Sequence, residues 1–263
     1  MPASATDVLL CGDPVAKADA ARAFRRAVVG GEAIAVGAEV PERPARPSRP
    51  ELVPPHKVAK RGLGSAEGRA ALLHAIAHIE LNAIDLAADM IARFSAAPEV
   101  ADVRGAFIAE WSNVCDDEAR HFLMIEARLA ELGHTYGDFP AHDGLWEAAQ
   151  ATRHDIAARL AIAPLVLEAR GLDVTPGMIR KLDGVGDTAS ADVLRVIYAE
   201  EVAHVRCGID WFHHVADSRG KDRESYFDEL VRAHFRGRVK PPFNVDARDR
   251  ASFPRQYYMQ LAS

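Results

Sequence analysis

Asp117-Glu118-Ala119-Arg120-His121 and Glu200-Glu201-Val202-Ala203-His204 each set a carboxylate and an imidazole three residues apart. At about 100° per residue, helix positions three apart project roughly 60° from one another and one turn along the axis, so both side chains reach one point. Working outward, Trp111, Val114, Ile125 and Leu129 flank the first motif at helical spacing, and Val193, Ile197, Trp211 and Val215 flank the second. Each motif therefore lies on the apolar face of a predicted helix. Spacing alone is a weak signal, since 17 glutamates and 11 histidines in 263 positions give about 0.7 such pairs by chance. A third match, Glu131-Leu-Gly-His134, straddles the helix stop at Gly133 without an apolar stripe and reads as coincidence.

Further out, each motif is preceded by a lone glutamate in an apolar stripe. The helix opening at Ser65 and running to about Phe94 carries Leu73, Ile76, Glu80, Ile84, Ala87 and Ile91 on one face. A second helix spans about Ala101 to Leu132. A third, about Leu145 to Arg170, carries Ile156, Leu160, Leu167 and Glu168; Pro164 is predicted to kink it and Gly171 to close it. After a short helical turn from Pro176 to Leu182 and a break at Gly184 to Asp187, the fourth long helix runs to about Ser218. The order Glu, Glu-x-x-His, Glu, Glu-x-x-His is a coarse internal duplication. Glu80 and Glu118 stand 38 residues apart and Glu168 and Glu201 33 apart, which suits going up one long helix and down the next.

Four carboxylates among alkyl side chains would cost several kcal/mol each if charged and unpaired, so cations are expected beside them. Two divalent ions neutralise four carboxylates, and two imidazoles fill the remaining positions. The expectation is an all-α antiparallel four-helix bundle holding two metal ions on Glu80, Glu118, His121, Glu168, Glu201 and His204, with Glu118 and Glu201 bridging. Asp117 and Glu200 point off their own faces and are expected to accept from the second nitrogens of His204 and His121 respectively, the alternative being two exposed acids.

Around this core, Asp13 and Pro14 open a helix that runs to about Val29, and six prolines between Val40 and Pro55 impose an extended path, read as a strap on the bundle or a free linker. Ser225 to Phe235 suits a shorter helix, and Pro241-Pro242-Phe243-Asn244 opens an irregular tail. The chain divides on this reading into residues 1–60 (N-terminal helix and strap), 61–220 (bundle) and 221–263 (C-terminal extension). His74 and His78 flank the Glu80 stripe and read as loop anchors.

With 49% hydrophobic residues the chain can bury a large core, and a net charge of −6 argues against a general nucleic-acid partner. A basic run, Arg232, Arg236, Arg238 and Lys240, is read as a solvated tail or a local RNA contact. Cys11, Cys115 and Cys207 are too few and scattered for a disulfide framework or a Cys-x-x-Cys zinc site. Neither a secretory leader nor a membrane-spanning stretch is evident, so a cytoplasmic protein with no membrane partner is expected.

The six ligands in their order resemble the ferritin-like di-iron carboxylate superfamily, which includes ferritins, rubrerythrins, ribonucleotide reductase small subunits and bacterial multicomponent monooxygenases. More narrowly, Ala77-His78-Ile79-Glu80-Leu81, the loop from Gly137 to Trp146, Leu172-Asp173-Val174-Thr175-Pro176-Gly177 and Pro241-Pro242-Phe243-Asn244 resemble a bacterial ferritin-like family catalogued as a domain of unknown function, over about residues 7–252. The resemblance implies the bundle and the ligand set without assigning a reaction. Carboxylate-rich sites with one histidine per metal suit iron or manganese and leave positions open. The leading expectation is therefore two iron ions, or a manganese/iron pair, with O2 as oxidant and an unidentified small-molecule substrate or electron donor. The alternatives are a ferroxidase or iron-handling protein without organic substrate, a purely structural metal site, and a tRNA-directed enzyme relying on the basic tail. A monomer or homodimer is expected.

Overall fold

The computed structural model describes residues 3–37, 39–58 and 62–262. The chain is all-α: among the described residues there is no strand, only isolated bridges pairing Ala3 with Ile34 and Leu52 with Ala141. In order come α1 (Ala5–Leu10), α2 (Pro14–Val29), α3 (Ala66–Phe94), α4 (Arg104–Glu131), α5 (Gly144–Ala151) and α6 (Ile156–Ile162). A π-helical segment, Ala163–Glu168, leads directly into α7 (Ala169–Gly184). α8 (Thr188–Ser218), α9 (Arg223–His234), α10 (Val245–Arg250) and α11 (Arg255–Met259) complete the chain.

The helix starts follow from capping chemistry. Asp13, Ser65, Asp155 and Asp187 each accept a backbone N–H from the first turn of the helix they precede, satisfying a donor that has no intrahelical partner. α3 is long and apolar enough to span a membrane by length and composition alone, yet most of it is buried in the bundle, including Glu80, Asp85 and Asp89.

Pairings along the helices fix their directions. Going forward on α4, partners on α8 retreat: Glu110 accepts from Trp211, Arg120 meets Glu200 and Arg128 donates to Ser190. α4 and α8 are thus antiparallel. α3 and α4 form an antiparallel hairpin through a short 3₁₀ turn, Pro98–Val103, with Cys115 beside Ile84 and Glu118 beside Glu80. On the far side, α6, the π segment and α7 make one continuous rod against α8. It closes most tightly at Gly208, where a Cβ would lie 2.6 Å from the Pro164 ring.

The Pro-rich stretch lies on this bundle. Ala45 donates to Leu9 O at 2.8 Å, Val53 to Ala141 O at 2.8 Å, and the Trp146 indole to Glu42 O at 3.2 Å. Arg46 also reaches the buried Asp85 at 2.8 Å, beside the ion pair that Lys17 of α2 makes with the same carboxylate. The division expected at residues 60/61, like Met1, Pro2 and Ser263 at the chain ends, lies outside the described residues.

The third rod departs from the sequence expectation. Instead of one helix from Leu145 to Arg170, residues 152–155 break it, with Asp155 capping α6. The helix then runs through Gly171 and Pro176 to Gly184 without ending. A helical glycine costs only about 1 kcal/mol, so Gly171 need not stop it. Pro176 leaves the carbonyl of Leu172 without its usual donor, and the Asn244 side-chain amide supplies one at 3.0 Å. The tail, expected to be irregular, contains α10 and α11, whose Tyr257 and Tyr258 are buried.

Candidate metal centre

Four elements deliver the six residues. Glu80 comes from mid-α3, Glu118 and His121 from α4, Glu168 from the end of the π segment, and Glu201 and His204 from α8. Ligand atoms of Glu80, Glu118, His121 and Glu201 all lie within 4.8 Å of one another. Glu118 turns one oxygen towards each imidazole: Oε2 is 3.4 Å from His121 Nδ1, and Oε1 is 2.9 Å from His204 Nδ1. Glu201 Oε1 sits 3.9 Å from His121 Nδ1 and 3.6 Å from His204 Nδ1. Glu168 and His204 stand outside this four-residue group: Glu168 shares a cavity with Glu80, Glu118 and Glu201, and His204 joins it through Glu118 and Glu201.

Both imidazoles turn Nδ1 inward and Nε2 outward. His121 Nε2 lies 2.7 Å from Glu200 Oε2 and His204 Nε2 lies 3.3 Å from Asp117 Oδ2, so each histidine is held by an acid of the opposite half. A single nitrogen of Arg120, Nη2, donates to both acids, at 2.8 Å to Asp117 and 2.7 Å to Glu200. When the imidazole is neutral, an acceptor on Nε2 keeps the proton there and leaves Nδ1 as a lone-pair donor facing the centre, the arrangement expected around metal-binding histidines.

Electrostatics mark the interior as a place where charge needs compensation. Burial, reinforced by Glu118, raises Glu80 well above the ordinary carboxyl range. Burial with Glu118 and Glu201 pushes Glu168 up to about 8, and burial with Glu118 raises Glu201. Glu118 moves the other way: burial opposes its ionisation, but His204 and His121 outweigh it and hold the carboxyl low. Burial disfavours imidazolium, yet Glu118 and Glu80 raise His121 to about 11, and Glu118 and Glu201 raise His204. Protons thus supply the positive charge when nothing else does.

Oε2 of Glu168 is buried without a hydrogen-bond partner among the described residues, and neither oxygen of Glu118 nor Nδ1 of His204 makes a well-aligned hydrogen bond, although Glu118 Oε1 and His204 Nδ1 stand 2.9 Å apart. Orphaned acceptors of this kind are rare in folded proteins and each needs an explanation. Carboxylate oxygens and imidazole nitrogens converging on one space suit a metal ion, so the cluster could hold one.

Above the carboxylates lies a cavity of about 170 Å³. Its walls are mostly aliphatic, from Ile76, Ala83, Leu194 and Ile197, together with Val174 and Met178 of α7, with Thr175 and Arg170 adding polar groups. Of this α7 wall, Met178 falls in the short helical turn expected from Pro176 to Leu182, and Val174 in the gap expected after Gly171; their spacing of one turn is the signal that joins them. The other histidines take no part. His78 contacts the Tyr136 hydroxyl at 2.8 Å, His74 accepts from Gly137 N at 2.8 Å, and His214 donates to Glu99 O at 2.8 Å. His142 accepts from Gly144 N at 3.2 Å, and Asp143, which precedes α5, pairs with Arg43 and makes no side-chain capping bond.

Fold and centre together define a helical-bundle protein with a buried carboxylate–histidine cluster able to bind metal. The chain belongs to the family described as "Protein of unknown function (DUF455)", whose model matches residues 10–259. It is similar to a Haemophilus influenzae protein described as "Uncharacterized protein", at 45% identity over 210 residues, 80% of this chain and 73% of that one. No solved structure matches.

Proposed function

We propose that this is a ferritin-like di-metal carboxylate protein that acts as an O2-dependent oxidase or oxygenase on a small organic molecule. The observation that carries this reading is the aliphatic cavity of about 170 Å³ whose floor is Glu80, Glu118, Glu168 and Glu201. Handling iron alone calls for no apolar chamber over the carboxylates, whereas binding an apolar substrate does. Glu80, Glu118 and His121 would hold one ion and Glu168, Glu201 and His204 the other. Two iron ions, or a manganese/iron pair, bound there would supply redox chemistry with dioxygen.

The chain's own residues do the rest. Ile76, Leu194, Ile197 and Met178 exclude water and bind the apolar part of the substrate. Asp117 and Glu200 fix both imidazole tautomers, and Arg120 neutralises that pair of acids.

The test is metal analysis of protein purified without chelator, then anaerobic Fe(II) loading and exposure to oxygen in the presence of small aliphatic compounds. Oxygen uptake stimulated by such a compound, with an oxidised product, is expected. Iron oxidation that no organic molecule influences, or assembly into a many-subunit cage, would replace this reading with ferroxidase activity.

A further inference from the structure

A second cavity, of about 150 Å³, lies on the other side of the π segment, between it and the C-terminal extension. Its interior is apolar, with Leu165 on one wall and Phe227, Phe243 and Phe253 on the other. A dry cavity of about this size lined by Leu, Ile and Phe holds a benzene-sized molecule.

The rim is charged and almost all of one sign. Asp173 is the lone acid lining the cavity, and it is already spent: Oδ1 accepts from Arg248 Nε at 3.0 Å and from Asn244 N at 2.9 Å, and Oδ2 from Arg248 Nη2 at 2.7 Å. The Arg248 guanidinium is in turn enclosed by the rings of Phe243, Phe253 and Tyr258 at 4.4 to 5.3 Å. That leaves Arg170, Arg238 and Lys240. Arg170 Nη1 donates to the carbonyls of Lys240 and Pro242, and lies 3.4 Å from the Asp173 carboxylate that Arg248 already neutralises. The side chains of Arg238 and Lys240 make no hydrogen bond or ion pair among the described residues.

An apolar hole rimmed by uncompensated cations, in a chain whose net charge is −6, suits a ligand that is greasy at one end and negative at the other. We propose that this cavity is a binding site for a small organic carboxylate with an aromatic or short aliphatic body. The body occupies the space among Leu165, Phe227 and Phe253, and the carboxylate meets Arg238 and Lys240. The basic run read in the sequence as a solvated tail or an RNA contact thereby acquires a specific partner. This site does not depend on the oxidase reading, because none of its polar residues belongs to the carboxylate–histidine cluster.

Isothermal titration of the full-length protein, both metal-free and iron-loaded, with benzoate and hexanoate tests it, using benzyl alcohol and hexanol as neutral counterparts. The carboxylates should bind at least tenfold more tightly than the alcohols, and added NaCl should weaken that preference. The double variant R238Q/K240Q, altered at exposed positions, should lose about tenfold affinity for carboxylates and none for alcohols. Val239→Trp, which fills the cavity from its wall, should abolish binding of both. Equal affinity for acid and alcohol, an unchanged Kd in R238Q/K240Q, or inorganic phosphate binding as tightly as benzoate would overturn the proposal.

Discussion

The side-chain amide of Asn244 donates to the carbonyl of Leu172 at 3.0 Å, the carbonyl that Pro176 has no N–H to serve. The same amide donates to the Tyr198 hydroxyl at 2.7 Å, and the Asn244 side-chain oxygen caps α10 through Ala247 N at 3.2 Å. One residue of the C-terminal extension thus repairs a helix in the bundle, reaches α8 and starts its own helix.

Asn244→Ala should therefore cost about 2 kcal/mol, combining a lost cap with an unsatisfied carbonyl. Pro176→Ala restores the missing backbone donor. In a double-mutant cycle read by denaturant melts, Asn244→Ala should be less damaging in the Pro176→Ala background than in the wild type. Strict additivity would show that the amide does not substitute for the proline's absent N–H.

Glu118 has an oxygen facing each imidazole, so its removal should affect both halves of the centre at once. Purified wild type is expected to carry about two metal ions per chain, the number that four carboxylates neutralise. Glu118→Ala should carry none while retaining its helical circular dichroism. Full occupancy in the variant, measured by elemental analysis, would contradict the bridging position.

Arg120 touches neither imidazole directly and acts through Asp117 and Glu200. Arg120→Gln should lower apparent metal affinity by roughly 10 to 100-fold, the usual cost of losing an outer hydrogen bond. Competition against a chromogenic chelator reads this out. A matching loss is expected for Glu200→Ala and Asp117→Ala, whereas no change in any of the three would reduce this network to surface decoration.

Glu168 gives the metal-free protein a pH dependence of known sign. Its folded-state value, raised to about 8 by burial, Glu118 and Glu201, exceeds the ordinary value near 4.3 for an unfolded glutamate. The folded state then holds a proton that the unfolded state has released, so this group's contribution is fully present below about pH 4 and is lost as pH climbs towards 8. Metal-free Glu168→Gln should show a flatter stability profile over that window in urea melts at several pH values. A profile as steep as wild type would assign the slope to other groups.

How much was legible in the sequence depended on how local the cause was. Caps such as Asp13, Ser65 and Asp187 act within four residues, and the helices they open begin where the side chains indicate. The apolar stripes around Glu80 and Glu118 have helical period, so the meeting of those two residues follows from packing stripe against stripe. By contrast, the persistence of α7 past Pro176 depends on Asn244, and the order of the tail depends on burying Phe253, Tyr257 and Tyr258 against the bundle. Neither cause is a pattern within its own segment. The join between Arg120, Asp117 and Glu200 was half visible: its acids lie beside the motifs, but one guanidinium nitrogen serving both is a fact of the α4–α8 crossing.

The wide turn at Ala163–Glu168 has a further consequence for the rod that contains it. Such a turn accommodates one residue more than an α-helical turn, which offsets everything after it by about 100° around the axis. Upstream, Leu160 and Ala161 face the hydrophobic interior; within the turn and just after it, Leu167 and Arg170 border two separate chambers. Excising a single residue from this bulge would remove that offset while keeping the rod's composition nearly intact, and would swing Glu168 away from its three carboxylate neighbours. The widened turn works as a phase shifter, letting one helix serve cohesion at one end and chemistry at the other.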